Sequence, residues 1–134
     1  MANPPVDVAT FLAGAGLGLT LGVNLFHTPE RVGIGVPNDA VFVYGMPGGR
    51  PDRNMDTRIE HRFPIVNIRI RDTKQQDADT LARSIMTKMQ GLNLSGYLDI
   101  RALQGEPGSS FANEEGLYKL SLSYELVYES VVIT

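Results

Sequence analysis

The residue types that most often carry out chemistry are scarce in this chain of 134 residues, and they form no catalytic pattern. There is no cysteine, which excludes a thiol nucleophile and a cysteine-based zinc site. The two histidines, His27 and His61, have no second ligand at a metal-binding spacing. Ser84, His61 and Asp72 would supply the groups of a hydrolase triad. However, Ser84 falls in the middle of a predicted helix and lacks the strand–turn–helix elbow of a nucleophilic serine.

Three closely spaced glycines, Gly14, Gly16 and Gly18, give part of a phosphate-binding pattern. Leu19 stands where the third glycine of Gly-x-Gly-x-x-Gly is required. The glycines also follow a predicted helix, whereas a phosphate-binding loop follows a strand. We therefore interpret them as a helix stop and a close turn.

Two acidic pairs could in principle supply acid–base chemistry. Glu114 and Glu115 lie in a predicted loop, where solvated charge is the usual explanation, and Glu125 and Glu129 flank the end of a predicted strand. Neither pair has the apolar surroundings that raise one carboxyl pKa for catalysis. The sequence therefore predicts no enzyme, no catalytic residue, no cofactor and no metal.

The most distinctive feature is a stretch in which arginines alternate with carboxylates. The net charge of -3 argues against a protein held to nucleic acid mainly by charge. Mixed charge of this kind favours polar contacts between proteins over a phosphate track. The predicted subunit or tail-tube interface consists of four arginines and three possible acidic partners: Arg50, Arg53, Arg58, Arg62, Glu114, Glu115 and Glu125.

The elements that must position these residues are organised around Arg62–Leu92. Its first part alternates apolar and polar residues, which predicts a strand with one buried face carrying Val66, Ile68 and Ile70. After Asp72 the apolar residues recur at spacings of three and four, which predicts a helix over Thr73–Gln90 capped by Asp72 or Thr73. A strand that leads into an amphipathic helix indicates a helix packed on a sheet.

Further elements follow from the same periodicities. A helix is predicted over Pro5–Ala15, and the remaining predicted strands are Leu19–Phe26, Ala40–Tyr44, Leu98–Leu103 and Lys119–Tyr128. Met46–Thr57 is predicted as a surface loop or a long hairpin arm, and Gln104–Leu117 as a second loop. We expect both to be mobile in the free subunit and ordered after assembly, because their composition supports no core.

One uncharged segment, Val8–Phe26, approaches the length of a membrane span. Its glycines weaken a single helix, so we expect a short helix that leads into a strand, and no membrane contact. The composition, 43% hydrophobic and 20% charged, is typical of a globular protein. The sequence thus predicts one α+β domain over residues 1–134, with a mostly antiparallel sheet and two helices packed on one face.

Four stretches together resemble the tail terminator proteins of long-tailed bacteriophages, also called tail completion or minor capsid proteins. They are GVNLFHTPE at Gly22–Glu30, VFVYGMPGG at Val41–Gly49, the strand RFPIVNIRIRD with its helix, and the ending GLYKLSLSYELVYE. The resemblance covers nearly the whole chain and consists of fold patterns, so it carries over no catalytic residue.

This resemblance implies a virion protein of the tail or neck, assembled in the host cytoplasm. Its subunits would form a homo-hexameric ring that caps the tail tube, ends its polymerisation and joins the tail to the head. The implied partners are the tail tube protein and a head-completion or connector protein. DNA would pass through the ring without sequence-specific binding.

Two other functions remain open from the sequence. A head–tail connector or head-completion protein has a similar size and also forms rings. A small ligand-binding or enzymatic α+β domain is the more distant alternative, because a fold alone does not fix function.

Overall fold

The described part of the chain forms two helices and six strands, in the predicted α+β class. Their order is α1 (Pro4–Ala13), β1 (Leu25–Phe26), β2 (Ala40–Asn54), β3 (Ile59–Asp72), α2 (Gln75–Met89), β4 (Asp99–Ala102), β5 (Gly108–Ala112) and β6 (Leu117–Val131). This computed structural model describes residues 3–28, 39–54, 59–105, 108–112 and 117–131. Neither helix of that part of the chain is long and apolar enough to cross a membrane.

The strands form one sheet in the order β1-β2-β3-β6-β4, and β5 also pairs with β6. Only the short β1–β2 pairing is parallel, so the sheet is mostly antiparallel, as predicted. β3 occupies one edge of β6, and β5 and β4 therefore lie end to end along the other edge, opposite Leu117–Ser121 and Tyr124–Val127.

The core lies between one face of the sheet and the two helices. Val66, Ile68 and Ile70 of β3 are fully buried, and Ile68 lies opposite Val43 of β2 and Leu122 of β6. The helices contribute a shared set of buried residues to the same cluster: Val8, Ala9 and Leu12 from α1, and Ala78, Ala82, Ile85 and Met89 from α2. The prediction that both helices pack on the apolar face of β3 is confirmed. We call this face the inner face and the opposite one the outer face.

Close approach of α1 to the sheet depends on one glycine. A Cβ atom at Gly45 of β2 would stand only 3.3 Å from Cγ of Pro5, tighter than ordinary van der Waals contact. The glycine therefore lets the first turn of α1 lie directly on the strand.

The helix boundaries differ by one or two residues from the predicted ones. α1 ends at Ala13, and Gly16 and Gly18 follow with φ of 76° and 74°, a backbone region that favours glycine. The predicted cap of α2 is wrong: the residue before the helix is Lys74, which makes no side-chain cap bond. Instead, Oδ1 of Asp72 accepts the Lys74 N–H at 3.0 Å, a local turn that leads from β3 into α2.

The predicted strand Leu19–Phe26 is wrong over most of its length, since only Leu25–Phe26 forms a strand with β2. The preceding residues form a turn instead. The carbonyl of Thr20 accepts the N–H groups of Val23, Asn24 and Leu25 at 3.1–3.2 Å. Residues 19–24 alternate in type like a strand. However, the pairing of β1 with β2 includes only Leu25 and Phe26.

Both predicted loops contain strand. β2 continues through Asn54, so Met46–Asn54 is the long hairpin arm that the sequence left as an alternative, with register shifts between Met46 and Asp52 around two prolines. The segment Gln104–Leu117 contains β5, which the sequence missed. Residues 55–58 and 113–116 lie outside the described residues, and the mobility of both segments stays a prediction.

A buried polar contact joins α1 to the segment before β4. The Tyr97 hydroxyl donates a hydrogen bond of 2.5 Å to Oδ2 of Asp7, and Tyr97 packs edge-to-face on Tyr128 of β6. Burial and the Asp7 carboxylate raise the pKa of the Tyr97 hydroxyl well above its ordinary value. Burial alone raises the pKa of Tyr124 to about 12.

Replacing Ile68 with Asp tests the assignment of the inner face. We expect Ile68→Asp to lower the free energy of unfolding by more than about 3 kcal/mol, because it places an unpaired carboxylate in the core. Urea denaturation measures this loss. Leu98→Asp is the matched control, since Leu98 is 60% exposed and its change should stay within about 0.5 kcal/mol. Similar losses in both variants would contradict the assignment.

Raising the pH tests the tyrosine contact. The pKa of Tyr97 is higher in the folded than in the unfolded chain, where it is about 10. The contact therefore contributes its full stabilisation of the folded chain below about pH 10, and this stabilisation is lost as the pH rises further. We expect the stability of the wild type to fall between pH 9 and 11 by urea denaturation, and Tyr97→Phe to fall less steeply. Tyr124→Phe should remove part of the remaining slope. Equal slopes in all three proteins would contradict the prediction.

Candidate assembly surfaces

The residues of the conceivable hydrolase triad each have a different partner. Ser84 lies within α2 and its Oγ donates to the Thr80 carbonyl at 2.9 Å. His61 Nε2 lies 3.3 Å from Oε1 of Glu129, and Asp72 accepts from the Lys74 backbone. Among the described residues, no three His, Asp or Glu side chains come close enough to hold a metal ion. Surfaces that bind other proteins are therefore the candidate functional features.

The predicted interface residues do not form one cluster in the structure. Arg50 and Arg53 belong to strand β2, within the hairpin arm. Arg58, Glu114 and Glu115 lie outside the described residues. Only Arg62 and Glu125 have described side chains, and the structure places them on opposite faces of the sheet. Arg62 pairs with Tyr128, on the inner face, whereas Glu125 pairs with Ile65, on the outer face.

On the inner face, Arg62 contacts a buried carboxylate that the sequence analysis missed. Glu60 is only 2% exposed, and its Oε1 lies 3.4 Å from Nε of Arg62. A buried carboxylate needs a cation or several donors, and Arg62 supplies a cation near the far end of the described hairpin, where Glu60 lies opposite Arg53 of β2. The sequence could have indicated this contact, because Glu60 and Arg62 are two residues apart in a strand and therefore lie on the same face.

On the outer face, Glu125 belongs to a local charge network. Arg101 of β4 lies between Asp99, at 2.7 Å, and Glu125, at 3.7 Å. The hydrogen bond from Arg101 lowers the pKa of the Asp99 carboxyl. Asp99 and Arg101 are exposed and Glu125 is partly buried, so the network contributes little to folding and leaves Asp99 and Arg101 accessible to a partner.

Further polar side chains continue across the outer face between the central strands. Nη1 of Arg69 donates to Oγ of Ser121 at 2.7 Å, and Oγ of Ser123 donates to Oδ1 of Asn67 at 2.5 Å. Both described helices pack on the inner face. The outer face thus carries ordered polar groups along β3 and β6, while a small buried apolar cluster lies on its β1–β2 side.

Arg71, which the alternation puts among solvent-facing residues, is buried instead. Its guanidinium lies 4.9 Å from the ring centroid of Phe42, and Phe42 stacks on Phe26 at 5.4 Å. Arg71 is 2% exposed and Phe42 is fully buried. This cation–π contact holds β1, β2 and β3 together on the outer face. Nothing in the sequence indicated this cluster, because Phe26, Phe42 and Arg71 are distant from one another in the chain.

At the β1 edge, residues 18–24 form a turn that we call the β1 knuckle. Asn24 fixes it from within: its Oδ1 accepts the Thr20 N–H at 2.7 Å and its Nδ2 donates to the Gly18 carbonyl at 3.1 Å. Gly22 has a φ of 82°, which the turn requires. The knuckle presents two apolar side chains, Leu21 and Val23, which are 39% and 61% exposed.

Two carboxyl groups, Asp39 and Asp72, lie close together at the end of the sheet where β2 begins and β3 ends. Asp39 precedes β2, and its pKa is raised by burial and by the neighbouring Asp72 carboxylate. Asp39 immediately precedes Ala40, and the next residue of β2, Val41, lies opposite Leu25 of β1.

At the opposite edge, an open groove of about 490 Å³ lies between α2 and β4. We call it the α2–β4 groove. Its lining is partly apolar and includes the second half of α2: Arg83, Met86, Thr87, Met89, Gln90, Gly91, Ile100, Ala102, Gly105 and Tyr124. Its volume falls within the range of about 300–1,000 Å³ that is usual for binding sites.

Comparison with known proteins gives a match of fold. No protein-family model matches the sequence, and no curated protein does. Among solved structures, the fold is similar to that of a chain in the virion of a native gene transfer agent particle. The two share 12% sequence identity with a TM-score of 0.62, and the match covers 94% of each chain. At this identity the likeness establishes a shared fold over nearly the whole length.

Proposed function

We propose that this chain is a structural subunit of a phage-like virion and that it acts there as a tail terminator. The observation that carries the proposal is the likeness of fold, over 94% of both chains, to a component of a gene transfer agent virion. The sequence resemblance to tail terminators supports the finer role. In that role, six copies form a ring that caps the tail tube, ends its polymerisation and joins tail to head.

The described surfaces suit assembly with other proteins. The hairpin arm of β2 and β3 extends from the pair Met46 and Ile65 to the pair Asn54 and Ile59. The outer face adds fixed charges and hydroxyl groups on rigid strands, which is typical of the polar part of a protein interface. Tail tube protein and a head-completion or connector protein are the expected partners, in the tail or neck of the virion. DNA passes through the ring without sequence-specific contacts.

A ring closes through a heterologous interface, in which one patch meets a different patch on the neighbour. We assign the arginines of the hairpin arm to one side of this interface. Their acidic partners are on the neighbour, and the two sets are Arg50, Arg53, Arg58 and Arg62 with Glu114, Glu115 and Glu125. Arg62 pairs with Glu60 and Glu125 pairs with Arg101 within the same chain. Their charges are therefore partly neutralised before a neighbouring subunit binds.

Removing the protein from its particle tests the terminator role. Without a cap, tube polymerisation has no stop, so electron microscopy of lysates should show tails of variable and abnormally long length that fail to join heads. Expression of the wild-type chain in trans is the control and should restore uniform tails. Tails of normal length on filled, joined heads would contradict the proposal. Tails of normal length that stay separate from filled heads would instead indicate a connector.

Charge reversal in the arm tests the assembly surface. We expect Arg53→Glu with Arg58→Glu to weaken ring formation at least about tenfold, because like charges then face each other across the interface. Because the proposal gives these arginines a role between subunits, the melting temperature of the monomer should stay nearly unchanged. Sedimentation velocity over a range of concentrations measures assembly. Arg53→Lys with Arg58→Lys is the matched control, because it keeps the charge. Unaltered assembly of the reversed variant would remove the arm arginines from the interface.

A further inference from the structure

We propose that, around the ring, Arg50 of one subunit binds the carboxylates of Asp99 and Glu125 on the next subunit. The inference rests on the proposed function, because it names the two patches through which a ring of identical copies closes. It also narrows the acidic partners of the hairpin arm to the carboxylates at the β4 edge. The partner is a second copy of this chain.

The two patches lie on opposite edges of one sheet. Among the described strands, β1 pairs with β2 only at Val41 and Phe42, so the arm portion of β2, Met46–Asn54, borders β3 alone. On the other side, β4 is the last strand of the sheet order, and of the same strands it borders only β6. A head-to-tail ring requires two different patches on different sides of the subunit. These two edges meet that requirement.

The strand register places both patches at the same height along the strands. Gly49, the residue before Arg50, lies opposite Phe63 of β3. Because the register of β3 with β6 has no shift, Phe63 is level with Val127, and Val127 lies opposite Asp99 of β4. Rotation about a ring axis keeps every residue at its own height, so patches that meet side by side in a ring must be level with each other. Gly49 and Asp99 satisfy this condition.

The same register separates the arm from two of the acidic residues that the sequence suggested. Glu114 and Glu115 precede Leu117, and Leu117 is about ten residues from Val127 along β6, which is roughly 34 Å of extended strand. Within one ring, the arm of one copy therefore does not reach that end of its neighbour. Glu125 is close to Val127 in the same strand and is the suggested acidic residue within reach.

Charge complementarity connects the two patches. At the β4 edge, Oδ2 of Asp99 accepts a hydrogen bond from Nε of Arg101 at 2.7 Å, and Oε1 of Glu125 lies 3.7 Å from Nη1 of the same arginine. Two carboxylates thus share one guanidinium, which leaves one negative charge in excess within the network. The Asp99 side chain is 49% exposed, so a second guanidinium can approach it from a neighbour. Arginine is the cation best suited to bind carboxylate oxygens in pairs.

Exchange of the two charges tests this contact. We expect Arg50→Glu and Asp99→Arg each to weaken ring assembly about tenfold or more, because like charges then face each other across the interface. The double variant Arg50→Glu with Asp99→Arg restores opposite charges and should recover most of the assembly. Sedimentation velocity over a range of concentrations measures ring formation. The matched control is Arg50→Glu with Asp79→Arg, which adds the same charge at an exposed carboxylate of α2 and should recover nothing.

The outcomes separate this inference from the proposed function. Full assembly of Arg50→Glu, or a loss that Asp99→Arg does not recover, would overturn the contact and leave the proposed function intact, since the wild type still forms rings. Recovery of Arg50→Glu by Glu115→Arg would place the arm against the other end of a neighbour, and it would also overturn the contact. A wild-type chain that stays monomeric at all concentrations would contradict the ring, and this inference with it.

Cross-linking gives a second measurement that does not depend on charge. The chain has no cysteine, so Arg50→Cys with Asp99→Cys introduces the only two thiols. A short bismaleimide, which bridges thiols at about the separation of an arginine–carboxylate pair, should convert assembled rings into a ladder of linked chains on a denaturing gel. Arg50→Cys with Asp79→Cys is the matched control and should give little linkage. Equal linkage in the two variants, or rings that form without any linkage, would contradict the contact.

Discussion

Pairing of β3 on both of its edges is the constraint on which the rest of the structure depends. β3 is antiparallel to β2 on one side and to β6 on the other, and its β6 register runs without a shift from Ile59 to Asp72. Because side chains alternate along a strand, a slip of one residue would exchange the two faces completely. Val66, Ile68 and Ile70 would then leave the helices, and Asn67, Arg69 and Arg71 would enter the core.

This constraint also separates the two kinds of surface. The inner face is occupied by helices over its central part and therefore supplies stability, while the outer face keeps polar groups on a rigid support. Beyond the helices, the arm of β2 and β3 changes character around Pro47, Pro51 and Pro64, none of which can donate a ladder hydrogen bond. The register shifts in β2 occur in this region, so the arm can follow a different direction from the core of the sheet.

Much of this architecture was predictable from local patterns, and the parts that were not have identifiable physical reasons. The apolar residues of α2 at spacings of three and four, and the alternating residues of β6, were sufficient to predict both elements. Each of these elements has one continuous buried face. β5 was missed because the sequence Gly-Ser-Ser-Phe-Ala carries no such pattern, and its strand character comes from pairing with β6. The knuckle was taken for a strand because Leu21, Val23 and Leu25 alternate within a turn.

The candidate surfaces were predictable only in part. The arginine-rich stretch identified the arm, but the sequence could not show that Arg62 faces Glu60 on the inner face or that Glu125 faces Arg101 on the outer face. Burial of Arg71 against Phe42, which itself stacks on Phe26, depends on the pairing of three strands, β1, β2 and β3. The knuckle and groove required coordinates, because their residues come from four separate elements.

The order in which β3 obtains its neighbours has a consequence for synthesis of the chain. β2 and β3 form a hairpin from adjacent sequence, but β6 is made several tens of residues later. At about 5–20 residues per second on the ribosome, one edge of β3 stays open for several seconds. Such non-local pairing also slows folding, because a long loop must close before the contacts form. During that interval the open edge carries the strand Ile65–Ile70, so newly made chains are exposed to aggregation until the last element arrives.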